Sequence, residues 1–247
     1  MGYLWMGTAD PEKSRPQHQK HQLHRPFHTL RFAWPGFRAT LVANHVECTP
    51  LIMSKPAETG ALADRLRTET RPEHDAIENA LALPGSIQDA DDYTGLLAGF
   101  HGFYLPMEQA LLRLDWAGSG IDLPQRLKAP LLEADLAACG CSADATPRCP
   151  SLPPCGNLAE GFGCLYVMEG ATLGGAIIHR ELSARFGDWL TGKDHYYRCY
   201  GENRGAMWRH FRQALDRFGG NCTSGELDSV IGSARATFRE LQHWLER

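Results

Sequence analysis

The chain has 247 residues, 43% of them hydrophobic and 22% charged, with a formal net charge of −4. That length suits one large domain or one domain with an extension. The mild acidity gives no reason to expect a nucleic acid or an anionic membrane as partner. No run is read as membrane-spanning and no basic-then-apolar leader opens the chain, and Met1-Gly2 lacks the hydroxyl residue that a myristoylation motif wants at position 6. The expectation is a cytoplasmic protein whose eight cysteines are thiols.

Residues 1–52 hold five of the eleven histidines, several prolines and no sustained helical or strand period. His18, His21, His24 and His28 are irregularly spaced and lack acidic or cysteine partners, which argues against a metal site. The segment reads as a disordered extension, or as residues upstream of a true start at Met53; residues 53–247 form the domain. From Ala61 to about Leu83 apolar residues recur every three or four positions, so a helix is predicted. Pro72 interrupts it, and Thr70-Arg71-Pro72-Glu73 also reads as a capping box, so the expectation is a helix either kinked or restarted there.

Asp91–Asp115 is the cleanest amphipathic helix, with Tyr93, Leu97, Phe100, Tyr104 and Leu111 on its apolar stripe and His101 and Glu108 as partly buried neighbours. Helical pattern resumes over 125–138, with a break near Pro130. Residues 139–157 are a loop. The spacing of Cys139, Cys141, Cys149 and Cys155 within it matches no tight zinc knuckle. A long helix follows from about Asn157 to Arg185, then an irregular stretch to Glu202. Helices over 203–218 and 224–246 close the chain, the last capped at Ser224-Gly225-Glu226-Leu227. There is no βαβ alternation, so the predicted architecture is an all-α compact helical bundle forming a single domain.

Two stretches carry the chemistry. In Gly161–Ile178 five glycines sit inside a helical run, and each costs roughly 1 kcal/mol against alanine. Gly170 and Gly174 open one face and Gly175 flanks it. Such a face fits a membrane dimer seam, which Glu169 disfavours, a close helix crossing, or a planar ligand lying against the backbone. The other stretch is Leu66–Glu78. At 100° per residue His74 lies within about 40° of Thr70, Glu78 and Leu81 and about 20° from Arg67. A histidine so placed is either a core residue bonded to a neighbour or a ligand with an apolar floor and a cation beside it.

Together the histidine-bearing first helix and the run Leu165-Tyr166-Val167-Met168-Glu169-Gly170-Ala171-Thr172-Leu173-Gly174-Gly175 resemble the haem oxygenase family, closest to its bacterial phytochrome-associated branch. The resemblance covers about Leu62 to the C-terminus. It implies His74 as axial ligand to haem iron, Glu78 as the carboxylate orienting it, and Arg67 as a propionate contact. It also implies Gly170, Gly174 and Gly175 as the distal backbone, Arg212 with Arg209 as a second propionate contact, and Phe238 as pocket lining. Animal-type members place an aspartate where this chain has Ala171; Thr172 or ordered waters then stand as proton donors. The implied activity is cleavage of haem by O₂ to biliverdin, CO and ferrous iron, haem being substrate and cofactor, with no other metal. Electrons would come from a ferredoxin or flavin reductase, and biliverdin would pass to a bacteriophytochrome. The competing readings are a haem carrier without ring cleavage and a related fold hydrolysing thiamin-type pyrimidines, for which Cys164 is the only placed cysteine.

Overall fold

A computed structural model of the chain describes residues 61–247. The expectations for residues 1–52 and for a start at Met53 lie outside that range. Among the described residues the secondary structure is helical throughout, as the periodicity predicts: α1 (Ala61–Glu69), α2 (Arg71–Leu81), α3 (Ala90–Leu111), α4 (Ala129–Ala138), α5 (Leu158–Phe186), α6 (Arg204–Gly219) and α7 (Ser224–Leu245), with short 3₁₀ turns between.

The helix boundaries follow from local chemistry. Pro72 stands in the first turn of α2, where its missing N–H costs nothing, so the first predicted helix is two. The capping box at Thr70 does not form. The Thr70 hydroxyl donates instead to Leu66 O at 2.7 Å, and Glu73 turns away to accept from Arg235 Nε at 2.7 Å. Asp89 accepts from the amides of Asp91 and Asp92 to start α3, and Asn157 accepts from Glu160 N to start α5. α7 starts on a reciprocal capping box between Thr223 and Glu226, one residue before the predicted cap. Gly187, at φ 54°, closes α5.

α3 runs straight through Pro106. Proline cannot supply the amide that Gly102 O would normally accept. The Cys149 amide supplies it instead, at 2.9 Å, which ties the 139–157 loop to α3. That loop and α4 cover α3, so His101 and Glu108 are fully buried rather than partly so. The seven cysteines among the described residues are all free thiols.

α5 packs mainly on α7 and also on α6, while α1 packs on α6 and α2 on α7. The α5–α7 crossing is where small residues matter. A Cβ on Gly163 would collide with the Val230 carbonyl and lie 2.9 Å from Ala234 N; one on Gly161 would lie 2.5 Å from Leu114. Close helix crossing is therefore the role of Gly163, while Gly161 makes room for the Leu114 and Trp116 side chains after α3. Leu158–Leu190 is long and apolar enough, by length and composition, to cross a membrane, which corrects the expectation that no run reaches that measure. Half of its most apolar window is buried inside the fold, as in a core helix.

α4 has no cap of its own. Glu108, from α3, accepts from Lys128 N at 2.6 Å and Ala129 N at 3.1 Å. Burial pushes its carboxyl from 4.5 to about 7, against the opposing pull of those two amides.

Two outcomes are expected. Gly163→Ala should destabilise the chain by about 1–3 kcal/mol through overpacking. Gly174→Ala, whose Cβ meets nothing within 4 Å, should gain up to about 1 kcal/mol of helix propensity; denaturant midpoints compare them. In the folded chain Glu108 holds a proton that the unfolded chain releases between 4.5 and about 7. Its stabilising contribution is full below that window and is lost as pH rises through it. Wild type should therefore lose roughly 3 kcal/mol relative to Glu108→Gln between pH 4.5 and 8. Parallel unfolding curves would refute the assignment.

Candidate functional site

α2 is fastened to α7 one residue before His74. Glu73 is buried and accepts from Arg235 Nε at 2.7 Å, with Arg239 Nη1 at 3.5 Å. That fastening turns His74 along the Phe238 ring, edge to face, with centroids 5.7 Å apart. Phe238, which the resemblance implies as pocket lining, thus stands against the histidine. The imidazole is 46% exposed, and its Nδ1 lies 3.6 Å from both Asp75 Oδ1 and Glu78 Oε2. Those separations exceed a hydrogen bond. The exposed ring edge is unlike that of a satisfied core histidine. Arg71 Nε bonds Asp75 at 2.7 Å and holds that carboxyl below its ordinary range. His74, Asp75 and Glu78 are, among the described residues, the one cluster of side chains close enough to share a metal ion.

The glycine helix presents a bare face. A Cβ on Gly170 would reach only Trp208, at 4.0 Å, and one on Gly174 would reach nothing within 4 Å. Beside them Leu173 and Ile177 are 39% and 55% exposed, large apolar side chains left in the open. Gly175 is different. It is buried, and a Cβ there would make ordinary contact with Tyr197 at 3.8 Å. Thr172 sits about 200° around the helix from Gly170. Its hydroxyl donates back to Glu169 O at 2.7 Å. The structure therefore brings Gly170 and Gly174 to one open face and leaves Thr172 and Gly175 on the other side.

Arg67 is exposed and Arg212 half-buried. They belong to α1 and α6, yet both act on the Tyr166 phenol of α5. Burial pushes that phenol up; Thr70, Arg212 and Arg67 pull it back. Two guanidinium groups thus act by charge on one tyrosine, whose ring packs on Trp208, centroids 5.8 Å apart. Arg209 does not join them. It is exposed and lies back along α6, with Nη1 3.4 Å from the space beside Gly205.

Behind the open face lies a charged network that the sequence reading did not assemble. Glu169, 1% exposed, is paired with Arg126 and Lys128, both buried. Tyr200 donates to Glu169 Oε1 at 2.7 Å and accepts from Lys128 Nζ at 2.9 Å. Lys128 also donates to Arg126 O at 2.6 Å, and Arg126 Nη2 donates to His210 Nδ1 at 3.2 Å. A carboxylate inside an apolar run demands a partner, and that demand was readable at Glu169. Which residues meet it was not, since they lie 31 to 43 positions away. Tyr166 and Trp208 carried no such signal.

Known proteins resemble the chain as follows. A sequence profile of the haem oxygenase family matches residues 60–247. A haem oxygenase of Xanthomonas campestris pv. campestris (strain 8004) is 35% identical over 133 residues, spanning 52% of this chain and 74% of that protein. The NO- and CO-bound haem oxygenase of Neisseria meningitidis superposes with a TM-score of 0.63 at 20% identity, covering 74% of this chain and 89% of the other. A haem oxygenase structure from Leptospira interrogans gives a TM-score of 0.62 at 20% identity, covering 75% and 98%. At that identity the two structures speak to the fold.

Proposed function

The chain belongs to the haem oxygenase family, and on that premise we propose that it cleaves haem with O₂ and external electrons to biliverdin, CO and ferrous iron, with haem seated between α2 and the open face of α5. The observation that supports the reading is a pair of unlike surfaces, on two helices that both pack on α7. On α2 an exposed imidazole leans on Phe238 with two carboxylates at its back. On α5 a glycine face has exposed apolar side chains beside it. A planar, mainly apolar group would suit those two surfaces, and the two guanidinium groups that act on Tyr166 would suit carboxylates at its edge.

In this reading His74 would supply a nitrogen ligand to the haem iron, and Glu78 and Asp75 would be the carboxylates available to orient its ring. Phe238 supports the ring edge, while Arg67 and Arg212 fix the propionates. Gly170 and Gly174 leave clearance above the macrocycle and exclude bulk water by close approach. When bound, haem supplies the redox chemistry. The Thr172 hydroxyl donates to Glu169 O on the far side of α5, which favours water held by main-chain groups as the proton route. Electrons come from a separate ferredoxin or flavin reductase, and a bacteriophytochrome takes the biliverdin, the sequence resemblance being what supports those two partners.

Ala171, in place of the acid found in animal-type members, favours a second reading: a carrier that holds haem without cleaving it. Haemin titration followed by O₂ and a reductase separates the two, since only cleavage replaces the Soret band with biliverdin absorption. His74→Ala should still take up haemin through the apolar face and the arginines. It should lose the histidine-ligated ferric spectrum and more than about 100-fold in turnover, beyond the usual cost of an outer-shell partner. Added imidazole should restore part of both. An unchanged axial signature in His74→Ala would remove the ligand assignment and the function with it.

A further inference from the structure

Glycines at 170 and 174 free the front of α5, but they also remove the side chains that would anchor it there. Nothing on that face lies within 4 Å of a Gly174 Cβ, and Leu173 and Ile177 touch solvent. The rotation and height of this part of α5 must therefore be set from behind. The strongest attachment behind it is Glu169, adjacent to Gly170 in sequence. Its carboxylate meets Arg126 and Lys128 from the α3–α4 connection and Tyr200 from the stretch before α6. All three charged side chains are essentially inaccessible to water.

Stability alone does not account for this cluster. Burying one anion with two cations carries a desolvation cost that apolar replacements of similar size avoid, and such replacements are often neutral or stabilising. Arg126 Nε is buried without a hydrogen-bond partner among the described residues, a further expense. Tyr200 stands in the left-handed region at φ 66°, which costs a bulky residue roughly 1–2 kcal/mol and persists only where its surroundings hold it. Lys128 and Glu169 hold its phenol. A group of interactions maintained at such expense is directional, and what it directs is the helix turn that carries Gly170.

We propose that Glu169 is a positioning residue for the haem-facing side of α5: tethered by Arg126, Lys128 and Tyr200, it fixes the rotation that aims Gly170 and Gly174 into the cleft and so sets the clearance above the bound macrocycle. The proposal rests on the haem reading given above. It assigns Glu169 no proton transfer and no contact with substrate. The tether transmits position through backbone, and Thr172, bonded to Glu169 O, stiffens the same turn.

Tyr200→Phe removes one hydrogen bond to the carboxylate and leaves the ion pairs; Glu169→Gln removes the charge. In ligand-free protein, amide exchange over residues 169–176 should quicken about tenfold in Tyr200→Phe, the effect of losing one charge-assisted hydrogen bond. With haemin, affinity should stay within about threefold of wild type, because the His74 side is untouched. The ferrous CO adduct should show a shifted or split C–O stretch, and the product should shift toward other biliverdin isomers. A network that only stabilises the fold would lower the melting temperature and leave the C–O stretch and isomer ratio unchanged. That outcome in Tyr200→Phe, with exchange over 169–176 also unchanged, overturns the proposal. Should Glu169→Gln fail to fold, Tyr200→Phe decides alone. If wild type shows no histidine-ligated haem, the functional reading fails, and exchange in ligand-free Tyr200→Phe still decides whether the tether holds α5.

Discussion

The close passage of α5 over α7 at Gly163 is the constraint from which the rest follows. With no Cβ at Gly163, the α5 backbone lies against Val230 O and Ala234 N, an approach that alanine would not allow. One turn further along α7, Arg235 and Arg239 grip Glu73, and Phe238 meets His74. A single helix thus docks both α5 and α2. Residues 230–234 locate α5, and residues 235–239 locate α2. Four residues of helix span about 6 Å, so the relation between these two helices is set largely by the length of α7 between their docking points.

Glycine does two opposite things along α5. At Gly161 and Gly163 the missing side chain is replaced by neighbouring atoms, and the backbone is clamped. At Gly170 and Gly174 the missing side chain is replaced by nothing, and the backbone is left bare. The first kind contributes packing. The second gives up packing and leaves room for a ligand. Between them stand Met168 and Glu169, both buried, where the helix passes from clamped to bare. The charged tether occupies that transition, where apolar packing on the cleft side ends.

Charge is arranged by depth. Arg71, Asp75 and Glu78 are solvent-facing, and their pairings are worth little to stability. Arg126, Lys128 and Glu169 are fully buried, and removing one partner would strand the others. Arg67 and Arg212 fall between. Neither sits in an ion pair with an acid among the described residues, and both bear on Tyr166 at the rim. Cations left without acids beside an apolar face are what a dicarboxylate with an apolar body would meet.

The elements themselves are local facts. Apolar residues three or four apart, Pro72 at a helix start, Asn157 as a cap and Gly187 as a stop decide helix positions from neighbours within one turn, so they are legible in the chain alone. The placement of His74, Glu78 and Arg67 on one side of their helices is likewise a matter of spacing. The positions of Thr172 and Gly175, about 200° and 140° from Gly170, were open to the same arithmetic, which puts both off the open face. What spacing could not separate is Gly163 from Gly174. Both are helical glycines in an apolar run, and only the presence of α7 against one, and of nothing within 4 Å against the other, distinguishes a crossing from an open face. Nor could it find the partners of Glu169. A buried carboxylate announces that it needs cations, but Arg126, Lys128 and Tyr200 reach it through packing of distant segments, and tertiary structure alone brings them together.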